Sequence, residues 1–224
     1  MTTPEILRSG NFAAVIFDMD GTLLSTEILC RRAWRQAALE IGKEMPDSLY
    51  GQLLGRPNKE AAAVLKELWG ASFKSEDYTR RTEALYLGII EREGIMLRDG
   101  ILDLLMLFKE RGIPLAVATS TRRKLAQRKL ALCGLTSYFA AVVGGDEVTL
   151  GKPNPEIFLQ AAEKLGVPPD DCIVFEDSDA GVLGAHAAGM KCVLVPDISS
   201  PREETVIAAW HVFNSHFSAI SLFS

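Results

Sequence analysis

The sequence lacks a long hydrophobic run, and its first residues lack the pattern of a secretion signal. No stretch of about 18 or more apolar residues occurs, so we expect no membrane-spanning segment and no membrane partner. The opening residues, MTTPEILRSGNF, do not place a basic start before an apolar run, so we expect no signal peptide. Together these absences predict a cytoplasmic location.

The sequence also lacks an excess of basic residues and any closely spaced pair of cysteines. The net charge is −5, which provides no basic surface for nucleic acid or for anionic lipid. A bound anion would therefore need a local site. The four cysteines form no CxxC pair and the chain has only three histidines, so we expect reduced thiols and no zinc site.

What the chain does contain is typical of a globular protein. Its 224 residues are 48% hydrophobic and 24% charged, which suits one large domain or a core domain with a smaller insert. An apolar strand, FAAVIFD, is predicted at residues 12–18. A helical block follows at residues 27–93, where three segments carry apolar residues near i, i+3 and i+4 spacing: EILCRRAWRQAALEIG, NKEAAAVLKELWG and SEDYTRRTEALYLGIIEREG.

From residue 94 onward, helical segments alternate with short apolar strands. The predicted strands are IPLAVATS, AAVVGG, CIVFED and KCVLVP. Strands that are apolar throughout predict a parallel sheet buried on both faces. We therefore predict an α/β fold. Residues 1–26 and 94–224 form a Rossmann-like parallel sheet covered by helices on both faces, and residues 27–93 form an inserted all-helical cap domain.

The polar residues that follow the predicted strands indicate a functional site. In an open α/β sheet, ligands bind outside the carboxyl ends of the strands. Seven candidate residues lie at these ends or in a loop that follows one of them: Asp18, Asp20, Thr119, Ser120, Lys152, Glu176 and Asp177. We expect these residues to converge on one edge of the sheet.

The candidate set contains four carboxylates, two hydroxyls and one cation, and this composition favours a metal-assisted reaction. Clustered carboxylates raise each other's pKa, and a divalent cation removes that cost. Oxygen ligands without a neighbouring histidine or cysteine favour Mg²⁺. Lys152 and the two hydroxyls are suited to a phosphate beside the metal. Together the residues predict a phosphoryl-transfer site.

Four ordered motifs, DMDGT, VATST, GKPNPEIF and FEDSDAG, resemble those of the haloacid dehalogenase superfamily. The helical insert after the first motif resembles the small helical cap of the phosphoglucomutase-like and sugar-phosphatase branch of that superfamily. The resemblance covers nearly the whole chain, and four motifs in order are far more specific than a lone DxD pair.

The resemblance implies a role for each residue of the first motif. Asp18 would attack the phosphorus and become an aspartyl-phosphate, which splits one difficult displacement into two easier ones. Asp20 would protonate the leaving oxygen and later activate water, and its backbone carbonyl would contact Mg²⁺. Gly21 would allow the tight turn that follows, and Thr22 would fix that turn through a hydrogen bond.

The resemblance also implies roles for the later motifs. Thr119 and the amide of Ser120 would hold the phosphoryl group, and Lys152 would neutralise charge on the nucleophile and on the phosphoryl oxygens. Asp177 would bind Mg²⁺, with Glu176 either as a further ligand or as a residue behind the ligands. The implied activity is Mg²⁺-dependent hydrolysis of a small phosphorylated metabolite, a sugar phosphate in particular.

Three alternative functions compete with hydrolysis. A dehalogenase would use Asp18 to attack carbon, but the second acid in DMDGT is the phosphatase pattern of the superfamily. A β-phosphoglucomutase-like transfer would use the same core motifs. The mutases of this branch carry a histidine before an RAW segment, and this chain has Cys30 there. They also carry a cap arginine three residues past a glycine, and this chain has Asn58 there. Both differences favour a phosphatase over a mutase. A scaffold without activity would lack a catalytic residue, and every catalytic position is filled.

Three basic residues are candidates for contacts with substrate. Arg56, in LLGRPNKE, lies where this branch places a substrate-specificity loop, and it would bind a second phosphate or a sugar hydroxyl unless it is a surface residue. Lys59 and Arg122 are weaker candidates. The sequence does not name the substrate, and we expect a monomer or a weak homo-oligomer.

Overall fold

The computed structural model describes residues 12–53 and 58–223, with the backbone only at residues 58 and 59. The chain divides into two compact units, one that ends at Ser25 and resumes at Ile95, and one formed by Thr26–Gly94. In the described residues, the first unit contains a sheet with helices and the second contains helices. That these units act as a core domain and a cap domain stays a prediction.

Six parallel strands of the described chain form one sheet in the order β3-β2-β1-β4-β5-β6. Their bounds are β1 (Ala14–Phe17), β2 (Leu115–Thr119), β3 (Ala141–Gly144), β4 (Cys172–Glu176), β5 (Lys191–Leu194) and β6 (His211–Val212). Phe17 pairs with Val117 on β2 and with Phe175 on β4. This register brings the carboxyl ends of the three central strands to the same edge.

The described helices connect these strands or form the second unit. Their bounds are α1 (Glu27–Glu40), α2 (Asp47–Leu53), α3 (Asn58–Trp69), α4 (Ser75–Glu93), α5 (Ile101–Glu110), α6 (Arg123–Leu132), α7 (Glu156–Leu165), α8 (Asp179–Ala187), α9 (Glu203–Ala208) and α10 (His216–Ala219). Within residues 12–53 and 58–223, no helix has both the length and the apolar character needed to cross a membrane.

Apolar side chains cover both faces of the sheet. On one face, Val15 and Phe17 of β1 pack in a cluster with residues of α5, α6 and α10. On the other face, Ala14 and Ile16 pack with residues of α7 and α8. The strand thus gives alternate residues to two cores, because successive side chains of a strand point to opposite faces. The predicted α/β fold, a parallel sheet covered on both faces, is confirmed.

The unit formed by Thr26–Gly94 has a core of its own. The ring of Trp34 meets the rings of Tyr50 and Tyr78 edge to face, with centroid distances of 5.8 Å. The Tyr78 hydroxyl donates a hydrogen bond to the carbonyl oxygen of Trp34 at 2.8 Å. The described residues of this unit contain no strand, as the helical periodicity predicts.

The chain leaves and re-enters the sheet unit at neighbouring positions. The amide of Ser25 donates to the carbonyl oxygen of Met96 at 2.9 Å, and the amide of Arg98 donates to the carbonyl oxygen of Leu23 at 3.0 Å. Between these two bonds, Leu24 and Leu97 form an antiparallel bridge. The two crossings are therefore fastened to each other by backbone hydrogen bonds.

Candidate active site

The residues predicted for the sheet edge come from three adjacent strands and one loop. Asp18 follows β1, Thr119 ends β2 and Glu176 ends β4. Lys152 lies in the loop between β3 and α7. Because β1 lies between β2 and β4, the parallel strands place these side chains at one edge, where ligands of open α/β sheets bind.

Lys152 lies at the centre of this cluster. Its Nζ donates to Oδ1 of Asp18 at 2.5 Å, to Oε1 of Glu176 at 2.6 Å and to the carbonyl oxygen of Ala118 at 3.0 Å. The ammonium also lies 4.9 Å from the centre of the Phe158 ring, which is within the range of a cation–π contact. Three acceptors match the three donors of an ammonium, so Lys152 is held firmly against Asp18.

Burial and charge shift the pKa values of the cluster. Burial raises the pKa of Asp18 to about 7 against the opposing effect of Lys152, and the charge of Glu176 adds to the increase. Burial, then the charges of Glu176 and Asp18, raise the pKa of Asp177 well above its usual range. Although burial opposes its charge, the carboxylates of Asp18 and Glu176 raise the pKa of Lys152. The cluster thus holds more negative charge than its own lysine balances.

Both carboxylate oxygens of Glu176 have hydrogen-bond donors. Oε1 accepts from Lys152, and Oε2 accepts from the amides of Asp177 at 3.0 Å and Ser178 at 3.1 Å and from the Ser178 hydroxyl at 2.9 Å. The side chain is fully buried. Glu176 is therefore better placed to orient Lys152 than to move toward a ligand.

Asp177 and the turn after Asp20 approach each other closely. Thr22 Oγ1 donates to Oδ1 of Asp177 at 3.1 Å. Gly21 has a φ of +91°, and a Cβ added to it would lie 2.2 Å from Oδ2 of Asp177. The turn therefore requires glycine for its backbone conformation and for the space that Asp177 occupies.

The acidic residues fit a divalent cation. Ligand oxygens of Asp18, Glu176 and Asp177 lie within 4.8 Å of one another. Burial first, and then the charges of neighbouring carboxylates, raise the pKa values of Asp18 and Asp177, and a bound divalent cation would offset both effects by favouring the ionised forms. An all-oxygen donor set is the one that Mg²⁺ prefers. Because both oxygens of Glu176 already accept hydrogen bonds, Asp18 and Asp177 are the better candidates for direct ligands.

Asp20 takes part in an ion pair that the sequence does not predict. Lys129 Nζ donates to Oδ1 of Asp20 at 2.7 Å, and Thr121 Oγ1 donates to Oδ2 at 2.6 Å. The side chain of Lys129 is 5% exposed. A signal does exist, since Lys129 lies on the same face of α6 as the buried Ala126 and Leu130. A lysine on a buried face is rare unless it is paired.

The structure describes some of the remaining predicted residues as buried and some as exposed, and others lie outside the described residues. Thr119 is buried, and its Oγ1 accepts a hydrogen bond at 3.1 Å from the backbone amide two residues further on. Ser120 and Arg122 are exposed. Arg56 lies outside the described residues, as does the side chain of Lys59. The structure therefore brings together the acids and Lys152 and places Thr119 beside them, while the roles of these residues stay predictions.

Known proteins resemble this chain along most of its length. The "Phosphorylated carbohydrates phosphatase" of Thermotoga maritima is 37% identical over 178 residues, which cover 80% of this chain and 82% of that protein. The "Fructose-1-phosphate phosphatase YqaB" of Escherichia coli is 37% identical over 183 residues, which cover 81% and 95%. The crystal structure of CbbY from Rhodobacter sphaeroides in complex with phosphate has a TM-score of 0.83 at 30% identity, and the match covers 95% of this chain and 99% of that one.

The family comparison covers the residues of the sheet edge. The family model for haloacid dehalogenase-like hydrolases matches residues 12–189, a range that includes all seven candidate residues from Asp18 to Asp177. The match spans more than half of the chain, and the structural similarity to CbbY extends beyond it. The chain therefore belongs to the haloacid dehalogenase-like hydrolase family, as its four motifs predict.

Proposed function

We propose that this chain is a Mg²⁺-dependent phosphatase that hydrolyses a small phosphorylated metabolite, a sugar phosphate in particular. The observation that carries the proposal is the buried contact of Lys152 with Asp18, beside an acidic cluster that fits a divalent cation. Two relatives are named phosphatases of phosphorylated carbohydrates and of fructose 1-phosphate, which supports a sugar-type substrate.

Asp18 is the nucleophile of the first step. Lys152 binds Oδ1, and the other carboxylate oxygen attacks the phosphorus of the substrate. A P–O bond to Asp18 forms while the P–O bond to the sugar oxygen breaks, and that oxygen takes a proton from Asp20. The charge of Lys152 stabilises the negative charge on the phosphoryl oxygens during transfer. The products are an aspartyl-phosphate and the free sugar.

Asp20 acts again in the second step. Now ionised, it accepts a proton from a water molecule whose oxygen attacks the phosphorus of the aspartyl-phosphate. The bond to Asp18 breaks and inorganic phosphate leaves. Asp18 is again a carboxylate and Asp20 again carries a proton, so the cycle closes without a further reactant.

The end of β2 would bind the phosphoryl group. Thr119 is the last residue of the strand next to β1, which favours a hydrogen bond from its hydroxyl to a phosphoryl oxygen. The amide of Ser120 would supply a second donor. Backbone and hydroxyl donors that are already oriented stabilise the transferring group without reorganisation.

Four acids are the proposed holders of Mg²⁺. Asp18 and Asp177 would bind it through their side chains and Asp20 through its backbone carbonyl, with Glu176 as a further ligand or as the group that orients Lys152. When bound, Mg²⁺ supplies positive charge that balances the carboxylates and polarises the phosphoryl oxygens.

We also propose that residues 27–93 act as a cap domain that shields the reaction from water, with Arg56 in its specificity loop. A cytoplasmic location and a monomeric or weakly oligomeric state stay predictions.

The test is an assay of phosphate release from a panel of sugar phosphates with Mg²⁺. Wild-type protein should release phosphate, and EDTA should stop the release. Asp18→Asn should lower kcat by about 10³-fold or more, because no other group replaces the nucleophile. Asp103→Asn, which alters an exposed acid of α5, is the matched control and should keep the wild-type rate.

Two outcomes would contradict the proposal. A wild-type rate in Asp18→Asn would show that Asp18 is not the nucleophile. Formation of an isomeric sugar phosphate without release of phosphate would indicate the mutase instead. The assay therefore measures free phosphate and isomerised product in the same reaction.

A further inference from the structure

Lys129 is a buried lysine in the sheet unit that the steps above do not use. Its side chain is 5% exposed, and it lies in the middle of α6 (Arg123–Leu132) on the face that buries Ala126 and Leu130. Burying a lysine removes its hydration and much of its side-chain freedom. An apolar side chain on this face would avoid both costs, so the position of Lys129 requires a reason beyond packing.

The contacts of Lys129 lead directly to the proposed general acid and base. Lys129 Nζ lies 2.7 Å from Oδ1 of Asp20, while Thr121 Oγ1 lies 2.6 Å from Oδ2. Both donors belong to the segment that follows β2, whereas Asp20 follows β1. Each oxygen of the carboxylate is therefore tied to a neighbouring element, and this fixes the rotation of the whole group.

The two lysines of the site have separate partners. Lys152 contacts Asp18 and Glu176, while Lys129 contacts Asp20. The ion pair of Asp20 is thus formed by a different lysine from the pair that supports the nucleophile. Asp20 is also only partly buried, with 30% of its side chain exposed, whereas its partner is almost completely buried. A rigid, buried donor that holds a more exposed carboxylate is an arrangement that sets the direction of that carboxylate.

We infer that Lys129 is a positioning residue of the phosphatase reaction, which acts by holding Asp20 in the orientation needed for its two proton transfers. The inference rests on the proposed function. It assigns Thr121 the matching role at the second oxygen. A proton is transferred efficiently only when donor and acceptor are aligned, and a shift of about 1 Å in a reacting group can reduce the rate by about 10²-fold.

The first test compares Lys129→Met, Lys129→Arg and Lys124→Met. With a sugar phosphate, Lys129→Met should lower kcat by about 10-fold to 100-fold with KM within about twofold, because substrate binding does not involve Asp20 orientation. Lys129→Arg keeps a charged donor and should recover most of the rate. Lys124→Met changes an exposed lysine of the same helix and should behave as wild type.

The second test uses the leaving group to separate the two steps. Nitrophenolate leaves from p-nitrophenyl phosphate without a proton, so formation of the aspartyl-phosphate should remain fast in Lys129→Met. Hydrolysis of that intermediate still needs Asp20, so the variant should show a burst of nitrophenolate followed by slow turnover. If Lys129→Met slows the formation and the hydrolysis of the aspartyl-phosphate equally, the inference is overturned, because an equal loss is what a general disturbance of the fold would cause.

A double-mutant cycle tests whether Lys129 acts through Asp20. In an Asp20→Asn background, Lys129→Met should reduce the hydrolysis of the aspartyl-phosphate by less than twofold further, since the two changes remove one function. A full additive loss would overturn the inference and assign Lys129 a role in stability alone.

Crystal structures of the wild type and of Lys129→Met supply a test that does not need activity. The Asp20 carboxylate should keep one side-chain rotamer in the wild type and adopt another, or several, in the variant. An unchanged Asp20 in Lys129→Met would overturn the inference even if the protein released no phosphate. If Asp20 moves in Lys129→Met but the wild-type protein releases no phosphate from any substrate, the result supports the positioning of Asp20 by Lys129 and contradicts the proposed function.

Discussion

His216 is a buried histidine at the start of α10 whose Nε2 has no hydrogen-bond partner among the described residues. Its ring lies 6.1 Å from that of Phe175, which belongs to the apolar cluster on one face of the sheet. Burial lowers the pKa of His216 to about 3, and the positive charge of Arg98 contributes to the decrease. The imidazole is therefore neutral in the folded protein at pH values where a histidine of the unfolded chain takes up a proton.

This histidine should make the protein less stable in mild acid. Its folded pKa lies below the unfolded value of about 6.5, so the stability that it contributes is complete above pH 6.5 and is lost as the pH falls toward 3. Between pH 7 and pH 5, the free energy of unfolding should decrease by about 2 kcal/mol more in the wild type than in His216→Leu. Urea denaturation at both pH values measures the difference.

The control for this prediction is His186→Leu, which removes an exposed histidine of α8. That variant should keep the pH dependence of the wild type. If the free energy of unfolding of all three proteins decreases equally between pH 7 and pH 5, the prediction that buried His216 is neutral is wrong.

Single residues of the site differ in how well the sequence predicts them. Asp18 and Asp177 follow apolar strands, and Lys152 lies in a distinctive loop motif, so periodicity and the motifs both indicate them. Lys129 escapes prediction because it is one of five basic residues in RRKLAQRK, and only its spacing from Ala126 and Leu130 places it on the buried face. Which oxygen of Glu176 accepts which donor also depends on side-chain rotamers and on the distance between strands, and neither is written in the local sequence.

At the scale of elements, the loop between β3 and α7 is tied to the first turn of the helix. The carboxylate of Glu156 accepts hydrogen bonds from the amides of Thr149, at 3.0 and 3.1 Å, and of Leu150, at 3.0 Å. The amide of Glu156 donates to Oδ1 of Asn154 at 3.0 Å. The backbone donors of Thr149 and Leu150 lower the pKa of Glu156. The loop that carries Lys152 is thus fastened on both sides of that residue.

Glu156→Ala should loosen this loop. The amides of Thr149 and Leu150 would lose their acceptor, so their hydrogen exchange should become faster, and kcat should fall by up to about 10-fold as Lys152 becomes less well positioned. Hydrogen–deuterium exchange and steady-state kinetics measure the two effects. Glu163→Ala removes an exposed acid of the same helix and is the control. Unchanged exchange at both amides would show that the side chain of Glu156 does not restrain the loop.

The larger elements are the part of the fold that the sequence predicts best. The apolar runs VIF, AVAT and CIVF each coincide with a buried strand, because only a strand covered on both faces accepts such a run. The strand β6 (His211–Val212) is not predicted, and the helix α2 (Asp47–Leu53) lies within the predicted helical block but in none of its three periodic segments. Two residues cannot show a period, and α2 has seven residues with a glycine among them. Both depend on neighbouring elements for their conformation.

At the scale of the whole molecule, the chain consists of two units that each have an apolar core. The sheet unit contains the two clusters on the faces of the sheet, and the other unit contains the cluster around Trp34 and Tyr78. A unit with its own core can in principle fold alone, and insertion at closely spaced chain ends is tolerated by many domains.

We therefore expect the sheet unit to fold when residues 26–94 are replaced by a short Gly-Ser linker. The hydrogen bonds between Ser25 and Met96 and between Leu23 and Arg98 would keep the junction in place. Thermal unfolding followed by circular dichroism should remain cooperative, with a smaller helical signal than in the full chain. A transition without cooperativity would show that the sheet unit needs residues 26–94 for its stability.

The bridge between Leu24 and Leu97 also affects how easily the segment inserted between them can change in length. For the folding of the sheet unit, the segment between Leu24 and Leu97 is equivalent to one loop whose two ends are held together by the bridge. The entropy of closing a loop grows only with the logarithm of its length, so each doubling costs about 0.6 kcal/mol. Inserts of very different size and sequence could therefore occupy this position while the register of the strands, and the acids at their ends, stayed the same.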